Sequence, residues 1–296
     1  MIRQVLKYTA LGSVFIFAAC STPQYSDLAN CKKVVNLEGV TDIARDGSGN
    51  LIVAVHNRKL VDTKGERLNT GRIGILQSRS MSFQEIELVG RDEYPFKPLG
   101  IDVWTEKNQR TLYVVNEAFD SQRSVEVFSL TANKAVFQRR IRSRQFARIR
   151  DVAATADDSF VLVREPARFW SSGDVVLYRS RKIRYTDWRI GGGWHVSKND
   201  KGDVLIASRR GLMRVDWPKE RIERLDIEAH VSTVMDVAES SKRMLLTGEH
   251  DQLFFVDQKA YRSPVVAGAF ESFDDGRRVV FGDPSDGLTA CELPAL

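Results

Sequence analysis

Short apolar runs separated by polar turns recur along this chain, and six of them share one plan: an apolar strand, a tight turn and a second β-rich strand. The copies are GVTDIARDGSGNLIVAV from Gly39, LGIDVWTEKNQRTLYVV from Leu99, IRDVAATADDSFVLV from Ile149, GGWHVSKNDKGDVLIAS from Gly192, TVMDVAESSKRMLLTG from Thr233 and VAGAFESFDDGRRVVFG from Val266. Their turns carry Asp, Asn, Gly, Ser and Lys, which suit hairpins because they tolerate positive φ or bond their own backbone. Between the copies, further strands are expected over residues 72–77, 83–88, 124–130, 135–141, 174–178, 212–215 and 253–256. Period-two patterning with β-branched and aromatic residues dominates, and no long helical stripe competes with it.

Self-similarity of this kind decides repeat folds. From Cys20 onward the chain allots roughly 46 residues to each of the six units, the size of a four-stranded propeller blade. The expected fold is all-β, a six-bladed β-propeller; a β-sandwich or a large barrel is the alternative. No Pro/Gly/Ser linker or low-complexity tract divides residues 31–296, so a single propeller domain is expected there.

The N-terminus changes the picture. Residues 1–19 carry Arg3 and Lys7 ahead of a short apolar run that ends Phe17-Ala18-Ala19 before Cys20. A run of that length is too short for a permanent span, which needs about 20 residues, and reads as a secretion signal. Phe17-Ala18-Ala19-Cys20 is similar to a bacterial lipobox, which implies cleavage before Cys20 and acylation of that cysteine. Ordinary signal cleavage near Ala19 is the alternative. Residues 20–30 are then a lipid-anchored tether. Ser21, where Asp would resemble an inner-membrane retention signal, points to an outer-membrane lipoprotein facing the periplasm or the cell surface. With Cys20 acylated, Cys31 and Cys291 remain as an even pair, and an exported protein keeps disulfides. In a propeller the first and last strands commonly share a blade. A bridge there would remove unfolded-state entropy worth on the order of 4–5 kcal/mol.

The formal charge is +5, and loss of Arg3 and Lys7 leaves the mature chain weakly basic, which gives no reason to expect a nucleic-acid partner. The densest basic stretch, from Arg139 through Arg142 and Arg144 to Arg148 and Arg150, reads as a solvated strand face or as a patch for anionic glycolipid or phosphate. Partners left open are the membrane, through the lipid anchor, and an unidentified protein or small-molecule ligand.

Cys31 with residues 39–42, Phe96-Lys-Pro-Leu-Gly-Ile101, Tyr113-Val-Val-Asn116 leading to Ser124-Val-Glu-Val-Phe128, Arg150-Asp151-Val152 and Ala290-Cys291-Glu292-Leu293 follow one another in an order that resembles the paraoxonase/arylesterase family. These are six-bladed propellers with two calcium ions in the central tunnel, related to the gluconolactonase and strictosidine-synthase-like propellers. The resemblance implies ester or lactone hydrolysis at a catalytic calcium held by oxygen ligands. It also implies a structural calcium held by Asp42, a carbonyl of Ile101 and Asp151. Asp102 and Asp236 are placed to sit near that second ion. The alternative is that Asp42 and Asp151 cap backbone amides at their strand starts.

Most of the catalytic set is missing. Thr41 stands where the family has Glu, Arg150 and Gly192 where it has Asn, and residues 232–235 offer no Asp-Asn pair. The two tunnel histidines of the family correspond to Leu99 and Glu117. A fixed guanidinium at a ligand position repels a cation at short range. Without metal or neutral imidazole, hydrolysis loses its main stabilising terms. A non-catalytic binding or scaffold propeller is therefore expected, with a calcium-dependent esterase or lactonase of rearranged site as the alternative. Glu117, as an acid/base or paired with Arg150, and His195, near a tunnel mouth, are the remaining catalytic candidates. His56, His230 and His250 read as surface or core histidines. The tryptophans read as packing between blades, except that Phe169-Trp170 is a candidate ligand contact.

Overall fold

The computed structural model describes residues 26–57, 71–119, 122–165, 174–199, 201–217, 219–226, 234–239, 244–248, 253–256, 259–262, 269–273 and 276–295. The described strands form six sheets of four or five strands, with one short 3-10 turn at Arg144–Phe146 and no α-helix among the described residues. The arrangement is all-β and propeller-like. In chain order the innermost strands are Val40–Arg45, Pro98–Glu106, Ile149–Ala156, Gly193–Lys198, Val234–Glu239 and Ala269–Ser272. Each packs on the innermost strand of the next sheet, and the sixth packs on the first.

Burial explains why the sequence takes this form. An apolar cluster lies between each pair of neighbouring sheets. One joins Ile52 and Ile73 of the first sheet to Val103 and Phe128 of the second, and another joins Val40 and Leu51 of the first to Val280 and Leu288 of the sixth. Each sheet is thus covered on both faces, so its second strand is a continuous apolar run rather than an alternating one, as Leu51–Val55 and Val204–Ser208 show.

Two segments cross between sheets. The stretch expected as one strand over residues 83–88 breaks at the buried Ile86, whose N–H donates to the Ile73 carbonyl. Phe83–Glu85 completes the first sheet, whereas Glu87–Val89 pairs in parallel with Lys134–Arg142 on the outer edge of the second. Likewise Ser26–Asp27, within the segment expected as a tether, pairs in parallel with Lys259–Arg262 on the fifth sheet. The strand Ala29–Val35 pairs with Gly287–Glu292 in the sixth sheet, and the Cys31–Cys291 disulfide joins those two strands. The two cysteine-bearing strands therefore share the sixth sheet.

The basic stretch is engaged within the protein. Arg140 is buried between the Tyr94 and Phe137 rings and bonds Glu126 and Asp92, Arg139 pairs with Asp158, and Arg148 donates to the Glu165 carbonyl. Glu126 is fully buried and also holds Arg91 at 2.7 Å and the Asn116 amide at 2.7 Å. This network fixes the chain leading into residues 96–101. Nothing in the charge pattern alone distinguished it from a solvated face.

Candidate functional site

A β-bulge just inside the start of the inner strand recurs at one place in the repeat. The register shifts between Val40 and Asp42, Ile149 and Asp151, Gly193 and His195, and Val234 and Asp236. A bulge bends the strand and re-aims the following side chain, and three of the four residues so placed converge. In the second sheet the corresponding bulge spans Pro98 to Ile101 and carries Gly100. A Cβ on Gly100 would lie 2.2 Å from Asp151 Oδ1, so only glycine leaves room for that carboxylate.

Asp42 and Asp151 are each 2% exposed, and each uses both oxygens. Asp42 accepts the N–H of Ile43 at 2.9 Å and, across to the second sheet, that of Ile101 at 2.6 Å. Asp151 accepts the N–H of Val152 at 2.8 Å and, across to the fourth sheet, that of Val196 at 2.8 Å. The capping alternative for both aspartates is therefore present in the structure. Asp102 repeats the device, taking the N–H groups of Val103 and Ala154, each at 2.7 Å. These carboxylates staple consecutive inner strands together.

The imidazole of His195 lies between the aspartates. Its Nδ1 is 2.8 Å from Asp151 Oδ2 and 3.7 Å from Asp42 Oδ1, and one ligating atom from each residue falls within 4.8 Å of the others. Ile101 donates its N–H to Asp42, and the third atom converging with the two carboxylates is the His195 nitrogen. Calcium takes six to eight oxygens, so this set fits it poorly. The side chain of Asp236 lies outside the described residues.

The described positions that resemble catalytic-calcium ligands are engaged with protein partners. Thr41 Oγ1 donates to the carbonyls of Pro98 and Ala54, at 3.0 and 3.3 Å. The Arg150 guanidinium lies 3.7 Å from Glu165 and over the Trp194 ring, 5.7 Å from its centroid. Gly192 sits in a turn at φ +94° and donates to Asp174. Leu99 is buried in the apolar cluster between the second and third sheets. Residues 231–233 lie outside the described set.

Glu117 does not pair with Arg150 as the sequence suggested. Arg123 holds it through Nε at 3.0 Å and Nη2 at 2.5 Å, while also donating to the Ile149 carbonyl at 2.6 Å and lying 3.2 Å from Glu165.

Beside the aspartate–histidine cluster the hub holds a cavity of about 420 Å³, lined by His195, Asp102, Trp104, Arg45, Lys198 and Glu271 among others. Lys198 donates to the Ala154 carbonyl at 3.1 Å, stands over the Trp104 ring and lies 3.6 Å from Asp102. Arg45 donates to the Lys198 carbonyl at 3.1 Å and faces Glu271 at 3.8 Å. Burial pushes the Glu271 carboxyl above its usual range, and the Arg45 charge offsets part of that rise. Sequence reasoning named Asp102 and, as a candidate near a tunnel mouth, His195, but not Arg45, Lys198 or Glu271. His195 occupies, in the fourth copy, the slot that holds Asp42 and Asp151 in the first and third.

Cys20 and the segment before it, together with His230, His250 and Phe169-Trp170, lie outside the described residues. His56 is buried, and Trp188 and Trp217 pack in the cluster between the third and fourth sheets.

The arylesterase family matches over residues 25–175. No curated protein matches the sequence. Among solved structures, the major allergen Mala s 1 of Malassezia sympodialis is similar with a TM-score of 0.60 at 12% identity, covering 90% of this chain and 96% of that one. A candidate gluconolactonase is similar with a TM-score of 0.57 at 8% identity, covering 90% and 94%. The extracellular domain of a hybrid two-component system protein from B. thetaiotaomicron gives 0.51 at 13% identity, covering 90% of this chain and 42% of that one. At these identities the likeness is one of fold.

Proposed function

Taking as premise that the chain belongs to the arylesterase family, we propose that it is a ligand-binding propeller of the cell envelope that does not hydrolyse esters at a catalytic calcium. The six sheets are then six blades of one closed toroid, with the acylated Cys20 anchoring it to the outer membrane. The observation that carries this is the fate of two hub positions: Thr41 is bonded to two carbonyls, and Arg150 brings a permanent positive charge where an ion would need an oxygen. The cavity of about 420 Å³ is of small-molecule size. Its mixed lining of Arg45, Lys198, Asp102 and Glu271 beside Trp104 suits a polar ligand carrying a carboxylate or hydroxyls.

A second function is favoured by one observation. His195 bridges two buried carboxylates at the edge of that cavity, which is also how a rearranged metal-dependent hydrolase would be built. Hydrolysis of phenyl acetate and of a simple lactone by the soluble Cys20→Ser form separates the two. Binding without chemistry predicts no turnover above buffer, with or without calcium. Turnover abolished by a chelator and by His195→Asn would establish the hydrolase.

A further inference from the structure

We propose that Asp42, Asp151 and His195 form a site for a borderline divalent cation of the zinc class, and that the hub has thereby turned away from calcium. Three inner strands, from the first, third and fourth sheets, each bring one ligating atom to a common point, so the ion would tie together blades that are not all neighbours. The two distances to His195 Nδ1, 2.8 and 3.7 Å, bracket the separation of about 3.3 Å expected between ligands of a tetrahedral zinc with bonds near 2.0–2.1 Å.

The carboxylates are also prepared for a metal. Each is gripped by two backbone N–H groups, those of Ile43 and Ile101 for Asp42 and those of Val152 and Val196 for Asp151. These bonds fix the carboxylate planes, and an ionised carboxylate has about four acceptor sites in all. Such outer bonds orient ligands and tune affinity. Imidazole nitrogen is an ordinary ligand for zinc and its neighbours, whereas calcium and magnesium prefer oxygen throughout. The cavity reaches His195, leaving space for water to complete the shell.

The test uses the full folded chain stripped of metal, then given zinc or calcium chloride. Bound metal per chain and the melting temperature are read, and turnover is not used. The site therefore stands or falls independently of the binding function proposed above. Expected are about one zinc per chain, a rise of several degrees in Tm with excess zinc, and no displacement of that zinc by a large excess of calcium. His195→Asn should lose the stoichiometric zinc and its Tm response. Should that variant fail to fold, Asp42→Asn must show the same loss. Calcium binding equally well to wild type and His195→Asn would overturn the proposal in favour of an all-oxygen site. Binding of neither ion would overturn it too, leaving the imidazole itself as the partner of the two carboxylates.

Discussion

Glu117 is a buried acid tied into the architecture near the hub by Arg123. Its carboxylate is 2% exposed and its partner Arg123 6%, so neither charge has water to fall back on. Removing one member of such a pair leaves the other buried and uncompensated. Arg123→Met should therefore destabilise the fold by about 3–5 kcal/mol, read by denaturant unfolding, and more than Glu165→Gln at the network's exposed edge. Glu271 makes a pH-dependent counterpart. Burial raises its folded-state pKa above the ordinary value near 4.5, with Arg45 opposing the rise. A carboxyl shifted upward contributes most below its unfolded value and loses that contribution as pH rises through the folded one. Arg45→Met removes the opposing charge, so its Tm deficit against wild type should grow as pH is raised from about 4 to 8; a deficit constant across that window would show that the Arg45 charge does not govern Glu271. His195 was a candidate from its place near a tunnel mouth, and its partners could also have been recognised, because aligning Gly193-Trp194-His195-Val196 with Ile149-Arg150-Asp151-Val152 puts the imidazole in an aspartate slot. Glu271 had no such signal, since it faces Arg45 on another sheet, and nothing in the spacing of Arg123, six residues from Glu117 across a hairpin, marked it out.

At the level of strands, the repeat was legible because an apolar strand, a polar turn and a second apolar strand recur with little variation. The crossings were not. Glu87–Val89 leaves its own sheet for the next, and its sequence reads simply as the continuation of Phe83–Glu85. Only the burial of Ile86 between them marks the change. The second strands are continuous apolar runs, since a strand packed on both faces has no polar side to present. The Cys31–Cys291 bridge was anticipated from cysteine parity, and it joins strands already paired through Ala29–Glu292 and Lys32–Ala290. Its contribution rests on closing a loop between residues 260 apart. The Cys31→Ser/Cys291→Ser double variant should lose about 2–5 kcal/mol of unfolding free energy while keeping the native far-UV spectrum. Unchanged stability would show that strand pairing alone holds the ends together.

Across the whole molecule, six apolar interfaces and a chain of carboxylate staples hold the inner strands in a ring, and none of these requires a catalytic ion. That independence is what the proposed loss of the catalytic calcium requires of the scaffold. Fold and family are carried by packing spread over the whole chain, whereas hydrolysis would depend on a few hub positions that hold Thr41, Leu99, Arg150 and Gly192. The most direct measurement determines calcium bound per chain and phenyl acetate turnover on the same chelator-stripped sample as calcium is returned to millimolar levels. The account predicts that turnover stays at the buffer rate and that no calcium is retained. Stoichiometric calcium, with hydrolysis rising in step with it, would contradict it.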